Sequence, residues 1–346
     1  MGNILDEEKE RNSDSSKDLE EKGEIITFKK KIRLKDNDYY QSKILNDGRI
    51  MQYGKKILYI YNKNNINLTD LIIKLDDIVD NNDYSLGFHI AYLNKFNHII
   101  FFIEDIFYNN EYKYIKIIKL ISDKEYSIIA KIKFKYNLYT SWCTEYSKGF
   151  IAIAAKDKIL YLYIYENNND SYQLIRKITH QIKNEINKFS IRNLDNEIIA
   201  FRHNNILTFF NLYKGNFLYD YKSPNLEILD VRGYSKNTIL ISGYYDEFTK
   251  DREEMIIIYE YKKRNEIKKI RHNLKCYYNN NILFVYKANI FIYFNKRRAI
   301  GIYIISDNRL KKIQEISQAD SNALIFKDKY LYFDVGNTLC ICEINF

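Results

Sequence analysis

No stretch of about 18 uninterrupted apolar residues occurs in this chain, which argues against a membrane-spanning helix. Glycine is scarce, with 11 in 346 residues. Gly-x-Gly-x-x-Gly, a phosphate-cradling glycine loop and the Gly-x-Ser-x-Gly elbow are all missing, so the usual nucleotide and hydrolase signatures are absent. The four cysteines (Cys143, Cys276, Cys340, Cys342) are scattered apart from the last pair, and they read as free thiols of a reducing, cytosolic compartment. Of five histidines none has a second histidine at ligand spacing, and Cys276, four residues after His272, stands alone. No zinc site, and no other metal or cofactor, is therefore expected. One tryptophan and one proline stand against 33 tyrosines and 20 phenylalanines, with Asn, Ile and Lys abundant throughout. That bias follows A/T-rich codons, and the same drift discounts the net charge of +9. Carboxylate pairs such as Asp76-Asp77 and Glu253-Glu254 lie in polar stretches, where solvated surface is the ordinary role. With no catalytic constellation and no small-molecule substrate evident, the chain reads as a non-enzyme.

What is present is a rhythm of strands. Residues 1–23 carry eight acids and four bases and almost no large apolar side chain, too little to order a tail. They do not read as a signal peptide. Removing that net −4 from +9 leaves +13 on residues 24–346. In that body, Lys55–Asn62, Lys158–Tyr165 and Asn204–Gly215 are close variations on one clause, rich in strand-forming Ile, Tyr and Phe. Each reads as the third strand of a four-stranded unit. Such strands begin near Ile57, Tyr114, Ile159, Ile206, Ile256, Gly301 and Leu339, at gaps of 57, 45, 47, 50, 45 and 38 residues. A period of about 40–50 residues is that of propeller blades.

Fourth strands are expected after short polar turns, over residues 71–75, 126–134, 172–178, 216–221, 266–270 and 310–316. The last unit has none, and Glu24–Ile32 is available to supply it, closing the edge. In the sixth unit Ala299–Ile305 is read as a third strand rather than a fourth. Long amphipathic helices, which a two-domain α/β fold would need, are not visible. The expectation is an all-β, seven-bladed β-propeller of four-stranded blades over residues 24–346, closed by an N-terminal strand that completes the last blade.

In rhythm this body resembles a WD-repeat family propeller. The best local match is Thr208–Leu218, where Phe210-Asn211 stands in place of the family's Trp-Asp pair ahead of the Gly215 turn. No unit carries Trp-Asp, and the Gly-His pair before the first strand is missing, so the resemblance implies architecture and assigns no functional residue. It implies a scaffold that binds other proteins.

Charge supplies the alternative. From Lys250 to Lys312 there are 16 bases and 6 acids. Loops from fourth to first strands and from second to third strands share one face of such a fold. Arg271 and Lys275 are expected in the first kind and Lys296, Arg297 and Arg298 in the second, which would gather five cations for a phosphate or an acidic peptide. Lys262-Lys263-Arg264 would lie on the opposite face. Lys296-Arg297-Arg298-Ala299 is similar in position to the Phe-Arg-Arg-Gly of PROPPIN-type phosphoinositide-binding propellers, with Phe and Gly both replaced. Gly2 offers an N-terminal acylation site, although Asp6 stands where Ser or Thr is wanted. The alternative function is thus a peripheral membrane module reading anionic headgroups; nucleic-acid binding is disfavoured. The two long connections, Glu104–Lys113 and Tyr245–Glu254, would rise from the basic face.

Overall fold

The computed structural model describes residues 26–33, 39–45, 49–54, 57–61, 69–78, 86–105, 113–122, 124–134, 143–156, 158–182, 189–195, 197–203, 205–245, 253–272, 283–286, 290–295, 299–306, 309–316, 324–327, 330–335 and 338–344. In chain order the strands are β1 (Ile26–Arg33); β2 to β5 (Tyr39–Ile44, Ile50–Gly54, Ile57–Tyr61, Thr69–Lys74); β6 to β9 (Leu86–Leu93, His98–Asp105, Lys113–Leu120, Tyr126–Phe134); and β10 to β13 (Cys143–Tyr146, Gly149–Lys156, Ile159–Asn168, Ser171–Gln181). They continue as β14 to β17 (Phe189–Asn193, Ile198–His203, Ile206–Asn211, Asn216–Tyr221); β18 to β21 (Leu226–Ser235, Thr238–Tyr245, Glu253–Glu260, Asn265–His272); β22 to β25 (Leu283–Tyr286, Ile290–Asn295, Ala299–Ser306, Arg309–Ile316); and β26 to β28 (Leu324–Lys327, Tyr330–Val335, Thr338–Ile344). A single helical turn, α1 (Leu75–Ile78), follows β5.

Among the described residues these strands make seven antiparallel four-stranded sheets, six of them from four consecutive strands. The seventh has the order β1-β28-β27-β26, so the strand nearest the N-terminus supplies the outer member of the C-terminal sheet. It pairs from Ile26 opposite Ile344 to Arg33 opposite Thr338. Ala299–Ser306 pairs with β23 on one side and β25 on the other, as a third strand does.

The chain divides into two compact units, residues 38–221 and residues 1–37 with 222–346. In the first, the sheets β2–β5, β6–β9, β10–β13 and β14–β17 pack successively face to face. Ile99, Phe101 and Ile103 meet Leu58, Ile60 and Ile73. Phe102 and Ile117 meet Phe150, Ala152 and Tyr163. Ile151, Ile153 and Leu162 meet Ile199, Phe201 and Phe210. In the second unit, Leu240, Ile256 and Ile258 pack with Tyr303 and Ile305 of β24.

Burial explains the sequence rhythm. Third strands are covered on both faces, as in β12, where six consecutive residues from Leu160 to Tyr165 are buried. That is why they read as unbroken apolar runs. Fourth strands form the outer edge: β13 is exposed or half-exposed along its whole length. Every fourth strand also carries one extra residue opposite the middle or end of its partner. These are Lys29 in β1, Asp70 in β5, Ile129 in β9, Ile175 in β13, Leu218 in β17, Ile267 in β21 and Ile313 in β25. A bulge increases local twist and spoils an edge for pairing with another chain. Its recurrence, including in β1, is a repeat expressed in backbone geometry where no sequence motif persists.

Two glycines are dictated by space. A Cβ on Gly149 would lie 2.0 Å from the Tyr165 carbonyl oxygen of the neighbouring strand. Gly215 has a φ of 67° in the β16–β17 turn, and a Cβ there would meet the Arg176 guanidinium at 1.8 Å. In that turn the Asn211 Oδ1 accepts a hydrogen bond from the Lys214 amide at 2.8 Å, and Phe210 is wholly buried. The Phe-Asn pair thus supplies the buried ring and the turn-capping acceptor. No described helix is long and apolar enough to cross a membrane.

Candidate functional site

Of the five cations expected to converge, the structure describes Arg271 alone; Lys275, Lys296, Arg297 and Arg298 lie outside the described residues, as do Gly2 and the connections 106–112 and 246–252. Arg271 also departs from expectation. It belongs to β21, opposite Met255, not to the following loop, because the strand runs on to His272, opposite Glu254. Lys262-Lys263-Arg264 do form the turn between β20 and β21, and Lys263 Nζ lies 3.1 Å from Glu260. Lys269 and Lys312 are paired with Glu266 and Glu315. Several late bases are therefore matched by nearby acids in exposed pairs worth little individually.

Several described polar groups are gathered between sheets. His98, at the start of β7, is buried. Its Nδ1 is hydrogen-bonded to the Tyr172 hydroxyl at 2.7 Å, and its Nε2 faces Asp170 Oδ1 at 3.2 Å. Asp170 receives Lys119 at 2.6 Å on its other oxygen. Asn169 and Asp170 both have positive φ, the conformation of a two-residue hairpin turn, and that turn carries Asp170 to the neighbouring sheet. Burial pushes the His98 pKa down against the opposing pull of Asp170. Asp170 is held below its ordinary value, first by the Lys119 hydrogen bond. Burial raises Tyr172, with Glu145 adding to it.

A second set of ties runs along the same sheets. Glu145 Oε1 accepts from the Lys95 amide at 2.6 Å, Lys95 Nζ donates to the Ser147 carbonyl, and Asn193 Nδ2 donates to the Glu145 carbonyl at 3.0 Å. Sheets β6–β9, β10–β13 and β14–β17 are linked in series by these contacts. In the other unit, His272 Nδ1 and Glu254 Oε2 face each other at 3.2 Å with both side chains buried. Cys340 and Cys342, two apart in β28, are both buried. The Cys342 thiol is pushed up to about 11, chiefly by burial and then by Cys340.

One cluster joins residues that sequence spacing keeps apart. His180 of β13, His203 of β15 and Asp220 of β17 bring a ring nitrogen each and a carboxylate oxygen within 4.8 Å of one another. Thr208 lies between two of them: its Oγ1 is 2.9 Å from His203 Nε2 and donates to Asp220 Oδ1 at 2.5 Å. His203 is buried, and among the described residues its Nδ1 has no hydrogen-bond partner. His180 packs against Phe217, the ring centroids 4.2 Å apart and the planes tilted by 30°. Burial lowers the pKa of both histidines, with Asp220 pulling the other way. This is the described set suited to holding a metal ion. The two histidines are 23 positions apart, and only folding the chain on its repeat, with alternate residues assigned to faces, would have found them.

No family model matches this chain. No curated protein matches it either. Among solved structures it is similar to a chain of the Mitotic Checkpoint Complex, with a TM-score of 0.62 at 10% identity over 92% of this chain and 95% of that one. It is also similar to Chaetomium thermophilum Raptor, with a TM-score of 0.61 at 7% identity over 90% of this chain and 29% of Raptor. At these identities the likeness shows the fold: all-β, in four-stranded antiparallel sheets of the β-propeller kind.

Proposed function

We propose that this chain is a closed seven-bladed β-propeller acting as a non-catalytic scaffold for other proteins. The observation that carries the reading is repetition at the level of the backbone. Seven four-stranded sheets share a bulge in the outer strand, and β1 completes the last of them, bulge included. Such a framework holds strands alike while its connections differ. One hairpin turns on Asn169 and Asp170, whereas 106–112 and 246–252 separate other paired strands. Binding residues on a rigid framework sit preferentially on such connections. One of the similar chains belongs to a complex, the Mitotic Checkpoint Complex. A cytosolic location belongs to the same proposal, in keeping with the buried, free thiol of Cys342. The headgroup-binding alternative gains no support, because Arg271 is a strand residue and several described bases nearby are paired with acids.

Two measurements test this reading. Electron-microscopy class averages of the purified full chain should show a ring of seven lobes; another count or an open arc overturns the closed ring. With the full chain as bait, a stoichiometric protein partner should be captured reproducibly and lost when 106–112 or 246–252 is replaced by a Gly-Ser linker at unchanged Tm. Capture indifferent to both replacements, or turnover of a substrate by the purified chain, overturns the scaffold reading.

A further inference from the structure

We propose that His180, His203 and Asp220 bind one divalent first-row transition-metal ion, zinc by preference, bridging sheet β10–β13 to sheet β14–β17. Two imidazoles and a carboxylate suit zinc and its neighbours, whereas calcium and magnesium seek all-oxygen sites. Tetrahedral zinc with bonds of about 2.0–2.1 Å places ligand atoms about 3.4 Å apart. From a separation of up to 4.8 Å the set must contract by about 1.4 Å at most. Asp220 is exposed and His180 half-exposed, so both can turn inward, while buried His203 is the fixed member.

Thr208 supplies the second, independent observation. Its hydroxyl hydrogen is committed to Asp220 Oδ1, so its oxygen accepts from His203, which places that ring's proton on Nε2. The lone pair is then on Nδ1, which is buried and has no hydrogen-bond partner among the described residues. A buried acceptor left unmatched is costly, and coordination of a cation would relieve it. The same hydroxyl orients the carboxylate and leaves Asp220 Oδ2 outside this bond, the outer-shell arrangement that metal-binding imidazoles use. Three protein ligands leave a fourth position for water on the side of exposed Asp220.

The full chain, stripped with a chelator and dialysed, should bind one zinc ion in a calorimetric titration, and zinc should raise its Tm. Cobalt(II) at the same site should give the visible absorption of a tetrahedral complex, and excess magnesium should neither compete nor stabilise. His180→Ala and Asp220→Asn should each weaken zinc by more than about 100-fold, beyond the roughly 10–100-fold expected for the outer-shell change Thr208→Val. Replacing Cys340 and Cys342 together by alanine should leave zinc affinity unchanged. Circular dichroism of each metal-free variant confirms that it has folded. The proposal is overturned if the wild-type chain shows no saturable zinc binding, or if binding survives both His180→Ala and Asp220→Asn. It is equally overturned if binding disappears in the cysteine variant instead, or if His180→Ala lowers Tm while zinc adds nothing to the wild type, which would make the cluster packing alone.

Discussion

His98 sits between two sheets with Tyr172 on one ring nitrogen and Asp170 on the other, and its pH response has a definite sign. Its folded pKa lies below 6.5 because burial outweighs the attraction of Asp170. The unfolded chain therefore takes up the proton more readily, so this contribution is whole above about pH 6.5 and fades as pH falls through the lower folded value. Denaturant unfolding at about pH 7.5 and about pH 5.5 should record the loss. His98→Leu should shrink that difference while lowering stability at the higher pH by about 1–3 kcal/mol, since it strands the Tyr172 hydroxyl. An unchanged difference would assign the acid sensitivity to other groups. Cys342 offers a simpler test: with its thiol raised to about 11, iodoacetamide at neutral pH should label it in denaturant and spare it in the native chain. Labelling of native Cys342 at the rate of half-buried Cys143 would contradict its burial. Neither environment was legible in the sequence. His98 finds Tyr172 at 74 positions' distance, and only a turn with two positive-φ residues brings Asp170 to it.

The elements, by contrast, were largely legible, and for a physical reason. Third strands buried on both faces must be continuous apolar runs, so Ile57, Ile159 and Ile206 mark their starts correctly. Fourth strands at 126–134 and 216–221 follow polar turns that announce them. Where an outer strand runs on past its apolar residues, as β13 does to Gln181 and β21 to His272, pattern stops short of the hydrogen bonds, and Arg271 was assigned to a loop in consequence. Bulges were not read, because the extra residue, Ile or Leu in five sheets but Lys29 in β1 and Asp70 in β5, looks like any other strand residue. Steric demand on a central strand can be tested with a matched pair. Gly149→Ala drives a Cβ into a backbone oxygen that can yield only by shifting β12, and should destabilise by about 1–3 kcal/mol. Gly233→Ala, with nothing within 4 Å of the added carbon, should be nearly neutral. Equal effects in thermal melts would mean that the close approach of β11 and β12 is not a constraint.

At the scale of the whole molecule, the decisive contact joins the two ends of the sequence. β1 lies along β28 from Ile26 to Arg33, and β28 carries buried Cys340, Ile341 and Cys342 between that outer strand and β27. Deleting residues 1–22 leaves this pairing whole and should leave Tm unchanged. Deleting residues 1–33 removes the outer strand, uncovers one row of backbone donors and acceptors on β28, and creates an edge with no bulge to guard it. Aggregation should follow, or a fall in Tm on the order of 10 °C, the scale of several kcal/mol for a chain of this size. A synthetic peptide spanning residues 24–35, added in excess, should bind the shortened chain and recover part of the lost stability, because the missing element is a strand that needs no covalent link to pair. A peptide with the same composition in scrambled order should not. Equal tolerance of both deletions would show that the last sheet stands without its borrowed strand, and the proposed ring would then have to close by some other means.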